Sequence, residues 1–219
     1  MEYRNLGNSG LKISELSFGS WVTFVNQLNE KKAMDCMSFA YERGINFFDN
    51  AKAYASGQSE VLMGNILKKL KWDRDTYIVS SKAFWGGELP TQKGLSKKHL
   101  NDACNAALKR LQVDYLDLFF CHRPDPETPI LETVYAMNDL LQQGKIMYWG
   151  TSEWSAKELE ETFKLCKDYN LRYPTNPKTL RGAGLGSFRV PGYSTAATGH
   201  PSHQSSISCC SNSHGHLRH

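Results

Sequence analysis

The sequence predicts an α/β protein with a parallel sheet of the TIM-barrel type, on three observations. Apolar runs of strand length alternate with stretches of helical period, and the strands begin near residues 16, 45, 76, 115 and 145. Such alternation gives right-handed strand–helix–strand crossovers and hence a parallel sheet. Successive strands also end on chemically useful side chains. Ile45–Asp49 ends on an acid, with Tyr54 just beyond it; Thr76–Lys82 ends on a lysine and Tyr115–His122 on a histidine. Ligands bind at the carboxyl ends of strands in α/β proteins, and a site shared among several successive strand ends favours a barrel over an open sheet. The third observation is an exclusion: no Gly-x-Gly-x-x-Gly follows the first strand, so the dinucleotide-binding open sheet lacks its fingerprint.

In chain order, Glu2–Leu6 and Leu11–Leu16 flank the turn cluster Gly7-Asn8-Ser9-Gly10, which reads as a hairpin with two glycines for positive φ. Ser17–Trp21 is a short strand. Ala33, Met37, Ala40 and Tyr41 give 31–43 helical spacing, and Gly44 stops that helix. Val61, Leu62, Ile66 and Leu70 line one side of a helix over 58–70. Beyond the lysine-ended strand and the loop 83–94, Ser96 caps a helix with a stripe of Leu100, Cys104, Ala107, Leu108 and Leu111. Arg123-Pro124-Asp125-Pro126 forbids helix until Thr128-Pro129 starts one that ends at Gly144. Lys145–Ser152 is a fifth parallel strand, and Ser155 with Glu158 forms a capping box for a helix over 156–169.

Composition bounds the function. With 219 residues, 40% of them hydrophobic, the chain builds a substantial core. No apolar run approaches the roughly 20 residues of a membrane span, so no direct membrane insertion is expected. The amino terminus shows neither a signal-peptide nor a transit pattern, which points to the cytoplasm. Cys36, Cys104, Cys121 and Cys166 fall within helix or strand patterns without ligand spacing and read as reduced thiols. There are 26 basic and 22 acidic residues. Lys178, Arg181, Arg189 and Arg218 lie in an acid-free stretch after residue 172, so the residues before it balance at 22 against 22. A balanced folded part gives no electrostatic footprint for nucleic acid.

The combination of Asp49, Tyr54, Lys82 and His122 with Gly19-Ser20-Trp21 and Gly150-Thr151-Ser152 resembles the aldo-keto reductase signature. Tyr3-Arg4-Asn5-Leu6-Gly7, Trp21-Val22-Thr23-Phe24, Phe84-Trp85-Gly86-Gly87, Arg123-Pro124-Asp125-Pro126 and Tyr148-Trp149-Gly150-Thr151-Ser152 resemble the branch that contains voltage-gated potassium channel beta subunits and their bacterial homologues. The resemblance covers residues 2–172. It implies a (β/α)8 barrel of which this chain holds the hairpin and about five units. It also implies NADPH as cofactor, a small carbonyl compound (aldehyde, ketone or quinone) as substrate, and, by analogy, a membrane channel as a partner.

Carbonyl reduction needs a hydride at carbon and a proton at oxygen. A free tyrosine, with pKa about 10, is a poor proton donor near neutrality, and a nearby ammonium lowers that pKa. A buried ammonium in turn needs a counter-charge. The resemblance therefore assigns Tyr54 as general acid, Lys82 as its modulator, Asp49 as the partner of Lys82, and His122 as the group that orients the carbonyl. It assigns Ser20, Trp21, Gln27, Asp49 and Ser152 to the cofactor. Glu153 stands where relatives more often carry Asn or Arg, which brings a negative charge close to the cofactor site. Phe24, Trp85 and Trp154 read equally as pocket walls or as core or surface packing.

The resemblance stops at Tyr173. Residues 173–219 are rich in Ser, Gly, His and Thr, lack acids and apolar periodicity, and are expected to be a disordered tail, as a frame-shifted reading frame would produce. Cys209, Cys210, His214 and His216 fit no zinc spacing, so no metal is expected. With the last barrel units absent, reductase activity is expected to be impaired or lost. Alternatives are a regulatory channel-associated subunit or an inactive fragment.

Overall fold

The computed structural model describes residues 1–21, 24 and 29–175. The expectations for Gln27 and for the tail beyond Thr175, including Cys209, Cys210, His214 and His216, lie outside the described residues.

The chain opens with an antiparallel hairpin, β1 (Tyr3–Asn5) and β2 (Lys12–Ser14), in which Tyr3 faces Ser14 and Asn5 faces Lys12. Gly7 takes φ 57, whereas Gly10 does not enter the left-handed region, so only one of the two turn glycines is needed for its backbone. Five parallel strands follow in sequence order: β3 (Phe18–Gly19), β4 (Phe47–Asp49), β5 (Ile78–Ala83), β6 (Leu116–Cys121) and β7 (Ile146–Thr151). They alternate with α1 (Glu30–Glu42), α2 (Gln58–Leu70), α3 (Lys97–Leu111), α4 (Ile130–Gln142) and α5 (Ala156–Asp168). This is the (β/α) order of a TIM-type barrel, carried through five units.

Local chemistry sets the helix ends. The Ser96 hydroxyl accepts from the His99 backbone N–H at the start of α3. Ser155 and Glu158 close the expected capping box at the start of α5. Gly44 (φ 87) and Gly144 (φ 68) let the chain leave α1 and α4 toward the next strand.

The sheet has two differently used faces. Phe48, Val79, Phe119, Cys121 and Trp149 point outward and pack with Met37, Met63, Ile66, Leu100, Leu111, Met137 and Leu140 of the helices. The inner face holds a smaller cluster, Phe47, Ile78 and Leu118, closed from below by Ile13 of the hairpin. The alternation follows from the two-residue period of a strand. It leaves Asp49, Ser80, Lys82 and Phe120 on the inner side, above the apolar plug. Cys104, Cys121 and Cys166 are buried free thiols.

Among the described residues the sheet ends at β3 and β7. The Thr175 backbone N–H and hydroxyl both donate to the Trp149 carbonyl, at 2.9 and 3.0 Å, and the Trp149 indole N–H donates to the Arg172 carbonyl at 3.0 Å. Residues 171–175 therefore run beside β7. No helix among the described residues is long and apolar enough to cross a membrane.

α2 and α3 approach each other at Gly64, where an added Cβ would lie 2.4 Å from the Arg110 carbonyl oxygen. Gly64→Ala is expected to destabilise the protein by about 1–3 kcal/mol, the usual cost of overpacking, read as a lower urea midpoint with unchanged slope.

Candidate active site

The ends of β3 to β7 are brought level by hydrogen bonds that continue past the strands. Ser20 N–H donates to the Asp49 carbonyl at 3.2 Å, Lys52 N–H to Lys82 at 3.2 Å, His122 N–H to Ala83 at 3.0 Å, and Ser152 N–H to Cys121 at 2.9 Å. Asp49, Lys82, His122 and Ser152 consequently reach one mouth of the sheet. Tyr54 joins them from a short 3-10 turn, Tyr54–Gly57, between β4 and α2.

At the centre is Lys82, which is 2% exposed. Its Nζ donates to Asp49 Oδ2 at 2.6 Å, to the Asn50 carbonyl at 3.0 Å and to the Tyr54 hydroxyl at 3.0 Å. An ammonium has three donors, and all three are used. The second carboxylate oxygen of Asp49 accepts from the Ser80 hydroxyl at 2.6 Å. Burial alone works against the Lys82 charge, but Asp49 and then Tyr54 outweigh it, and the pKa is raised.

Burial drives the Tyr54 phenol above its ordinary range; the Lys82 ammonium pulls it down only in part, and the Asp49 charge adds to the rise. The expectation that Lys82 lowers the pKa of Tyr54 therefore needs a correction in its net direction: the downward pull exists, but depth of burial outweighs it. Tyr54 is thus a protonated phenol near neutrality, poised beside a cation that stabilises any phenolate formed.

The His122 ring meets that of Tyr54 edge-on, with centroids 6.0 Å apart, and that of Trp85 at 5.0 Å. Burial, the Lys82 charge and the Arg123 charge lower its pKa to about 3, so it is neutral imidazole. Its Nδ1 is buried without a hydrogen-bond partner. The Trp21 ring lies 6.2 Å from that of Tyr54, and Trp21 is 51% exposed.

The other expected residues divide. Ser152 is buried at the end of β7. Ser20 is also buried, but its hydroxyl donates to the Asp49 carbonyl at 3.0 Å, a bond that joins β3 to β4. Phe24 is not a pocket wall: it is fully buried against Phe18, with centroids 5.8 Å apart, because helix-side packing claims it. Trp154 is partly buried against the helix-side core. Trp85 does stand at the mouth, 40% exposed, with the Arg123 guanidinium 5.3 Å from its ring centre. Sequence reasoning missed Ser80, although two serines in an otherwise apolar buried strand are a signal that something polar receives them.

Two outcomes follow. Lys82→Met leaves the Asp49 carboxylate buried without its cation and is expected to cost about 3–5 kcal/mol in urea unfolding, part of which Asp49→Asn in the same chain restores. The His122 pKa is lower in the folded chain, about 3, than the usual value of about 6.5 when unfolded. Between those values the unfolded chain holds the extra proton, so this contribution is complete above about pH 6.5 and is lost as pH falls toward 3. The difference in unfolding stability between wild type and His122→Asn, followed against pH, should shrink across that window.

The model of the Aldo/keto reductase family matches residues 15–172. A probable voltage-gated potassium channel subunit beta of Arabidopsis thaliana is 52% identical over 163 residues, covering 74% of this chain and 50% of that protein. A protein of the same description from Oryza sativa subsp. japonica is 48% identical over 174 residues, covering 80% of this chain and 53% of that one. Among solved structures, the thermostable aldo-keto reductase Tm1743, crystallised with the inhibitor epalrestat, aligns with a TM-score of 0.67 at 31% identity, over 75% of this chain and 58% of its own. The chain thus spans about half the length of the curated relatives it matches. With five alternating units, a family match over most of the described residues and relatives near half identity, the chain belongs to the aldo/keto reductase family.

Proposed function

We propose that this chain carries the catalytic half of an NADPH-dependent carbonyl reductase. One observation carries the reading: the Tyr54 hydroxyl is held 3.0 Å from a Lys82 ammonium that is itself clamped by Asp49. That arrangement keeps a phenol protonated until its proton is needed and then stabilises the anion left behind. Tyr54 donates its proton to the carbonyl oxygen of an aldehyde, ketone or quinone. Lys82 receives the growing phenolate charge without moving. Asp49 holds Lys82 in place, and Ser80 holds Asp49. His122, uncharged, presents a ring N–H to the same carbonyl oxygen and fixes its direction. Neutrality matters here, because a second cation beside Lys82 would oppose it.

The residues present fit the nicotinamide end of the cofactor. Trp21 offers a half-exposed ring beside Tyr54, Ser152 stands level with His122 one strand away, and the unpartnered Nδ1 of His122 marks a polar wall. When bound there, the reduced nicotinamide supplies the hydride. Ser20 serves this site indirectly, by fixing the Asp49 backbone. Residues 1–172 form the amino-terminal part of the barrel in this reading.

The naming of both plant relatives as probable channel beta subunits, at 48% and 52% identity, favours a second reading in which the reductase site serves a channel-associated subunit. Retention of a potassium channel's cytoplasmic domain on immobilised chain would support it, and its absence would count against it.

In a chain completed with the remaining units of a relative, Tyr54→Phe is expected to reduce NADPH-dependent turnover by about 100-fold or more, the scale of losing a positioned general acid. Cofactor binding, read by tryptophan quenching, should persist. Unchanged turnover would place the proton donor elsewhere.

A further inference from the structure

The mouth of the site carries a second ion pair that the tetrad chemistry does not use. Arg123, just past β6, places Nη1 2.5 Å from Oε1 of Glu153, just past β7. Both side chains are partly exposed, at 31% and 36%. The same guanidinium lies 5.3 Å from the centre of the Trp85 ring, whose edge meets His122. Arg123 is thus part of the wall that an incoming carbonyl compound passes. Glu153 takes φ 60, a left-handed backbone that is strained for a residue with a Cβ. That backbone turns the Glu153 side chain to Arg123.

Two of the cations around the mouth are matched by carboxylates. Lys82 is met by Asp49, Arg123 by Glu153, and His122 is neutral. Lys52, on the loop that carries Tyr54, is turned to His99 of α3 at 3.0 Å. What remains is flat and aromatic: Trp21 and Trp85, each close to half exposed, flank the Tyr54 and His122 rings.

We propose that the Arg123–Glu153 pair sets the substrate class of this mouth: Glu153 occupies the guanidinium that would otherwise receive a carboxylate, so the site takes neutral, flat aromatic carbonyl compounds and rejects anionic ones. The proposal deepens the reductase reading and rests on it for the word substrate, but the selectivity of the mouth is measurable without turnover. A guanidinium freed of its partner forms paired, charge-assisted hydrogen bonds to a carboxylate, while a neutral amide of the same shape gains far less.

The experiment titrates the 219-residue chain with benzoate and with benzamide, following tryptophan fluorescence. Wild type is expected to bind benzamide more tightly than benzoate. Glu153→Gln should shift the benzoate-to-benzamide affinity ratio by about tenfold toward benzoate, and Glu153→Gln with Arg123→Gln should remove that shift. Glu153→Gly, which suits φ 60 and so removes any concern over folding, should reproduce the Glu153→Gln result. A wild type that already prefers benzoate, a ratio unmoved by Glu153→Gln and Glu153→Gly, or no saturable response to either probe would overturn the proposal. Turnover of neutral aryl aldehydes with NADPH is measured separately. Its absence in the chain completed with the remaining units of a relative, alongside the expected affinity shift, would defeat the reductase reading while leaving the selectivity of the mouth standing.

Discussion

Much of this structure is arranged around one buried ammonium. Taking a lysine out of water costs several kcal/mol unless its charge and all its protons are answered. Lys82 is answered three times over, by a carboxylate from the neighbouring strand, a carbonyl one residue beyond it and a phenol from the following turn. Each partner is thereby fixed. Asp49 must end β4, Tyr54 must fold back over the strand ends, and Ser80 must face inward to occupy the second carboxylate oxygen. The same desolvation that makes the ammonium costly pushes Tyr54 and His122 toward their uncharged forms, while Asp49 and Tyr54 keep Lys82 charged against it.

The opposite face of the same strand makes a different use of polarity. Ser81, next to Lys82, donates to Glu60 of α2 at 2.6 Å, and Glu60 accepts from Arg110 of α3 at 2.7 Å. Glu60 is fully buried. This outer chain of contacts ties β5 to two helices, and Gly64 lets the helices close around it. Consecutive residues of one strand thus divide the labour, Lys82 toward chemistry and Ser81 toward scaffold, as the two-residue period of a strand requires.

The fold and the centre of the site were legible because both leave marks on short stretches of sequence. Repeated strand–helix alternation gave the architecture, and an apolar run broken by Asp, Lys or His gave the strand ends. Less legible was whatever depends on depth or on two distant loops. The net direction of the Tyr54 shift turns on how far the phenol is buried, which no local pattern encodes. Ser20 follows a strand of two residues, too short for alternation to say that its hydroxyl points to the Asp49 carbonyl. Phe24 shows no periodicity that separates core from pocket. The Arg123–Glu153 pair joins turns after different strands and needs a left-handed residue that is not glycine, so Glu153 read only as an odd charge.

The pairing order of the sheet has a consequence for how its buried charge is answered. Neighbours in the sheet are neighbours in the chain, so each strand from β4 to β7 docks on the one that left the ribosome before it. All four members of the tetrad lie between residues 49 and 122, on or just past three successive strands. The contacts of Lys82 with Asp49 and Tyr54 span 33 and 28 residues, the length of one strand-to-strand unit. The Lys82 ammonium thus finds both Asp49 and Tyr54 within two consecutive units of chain. The answering of that buried charge is therefore local in the chain: it uses β4, β5 and the turn between β4 and α2, and no residue of β6 or β7.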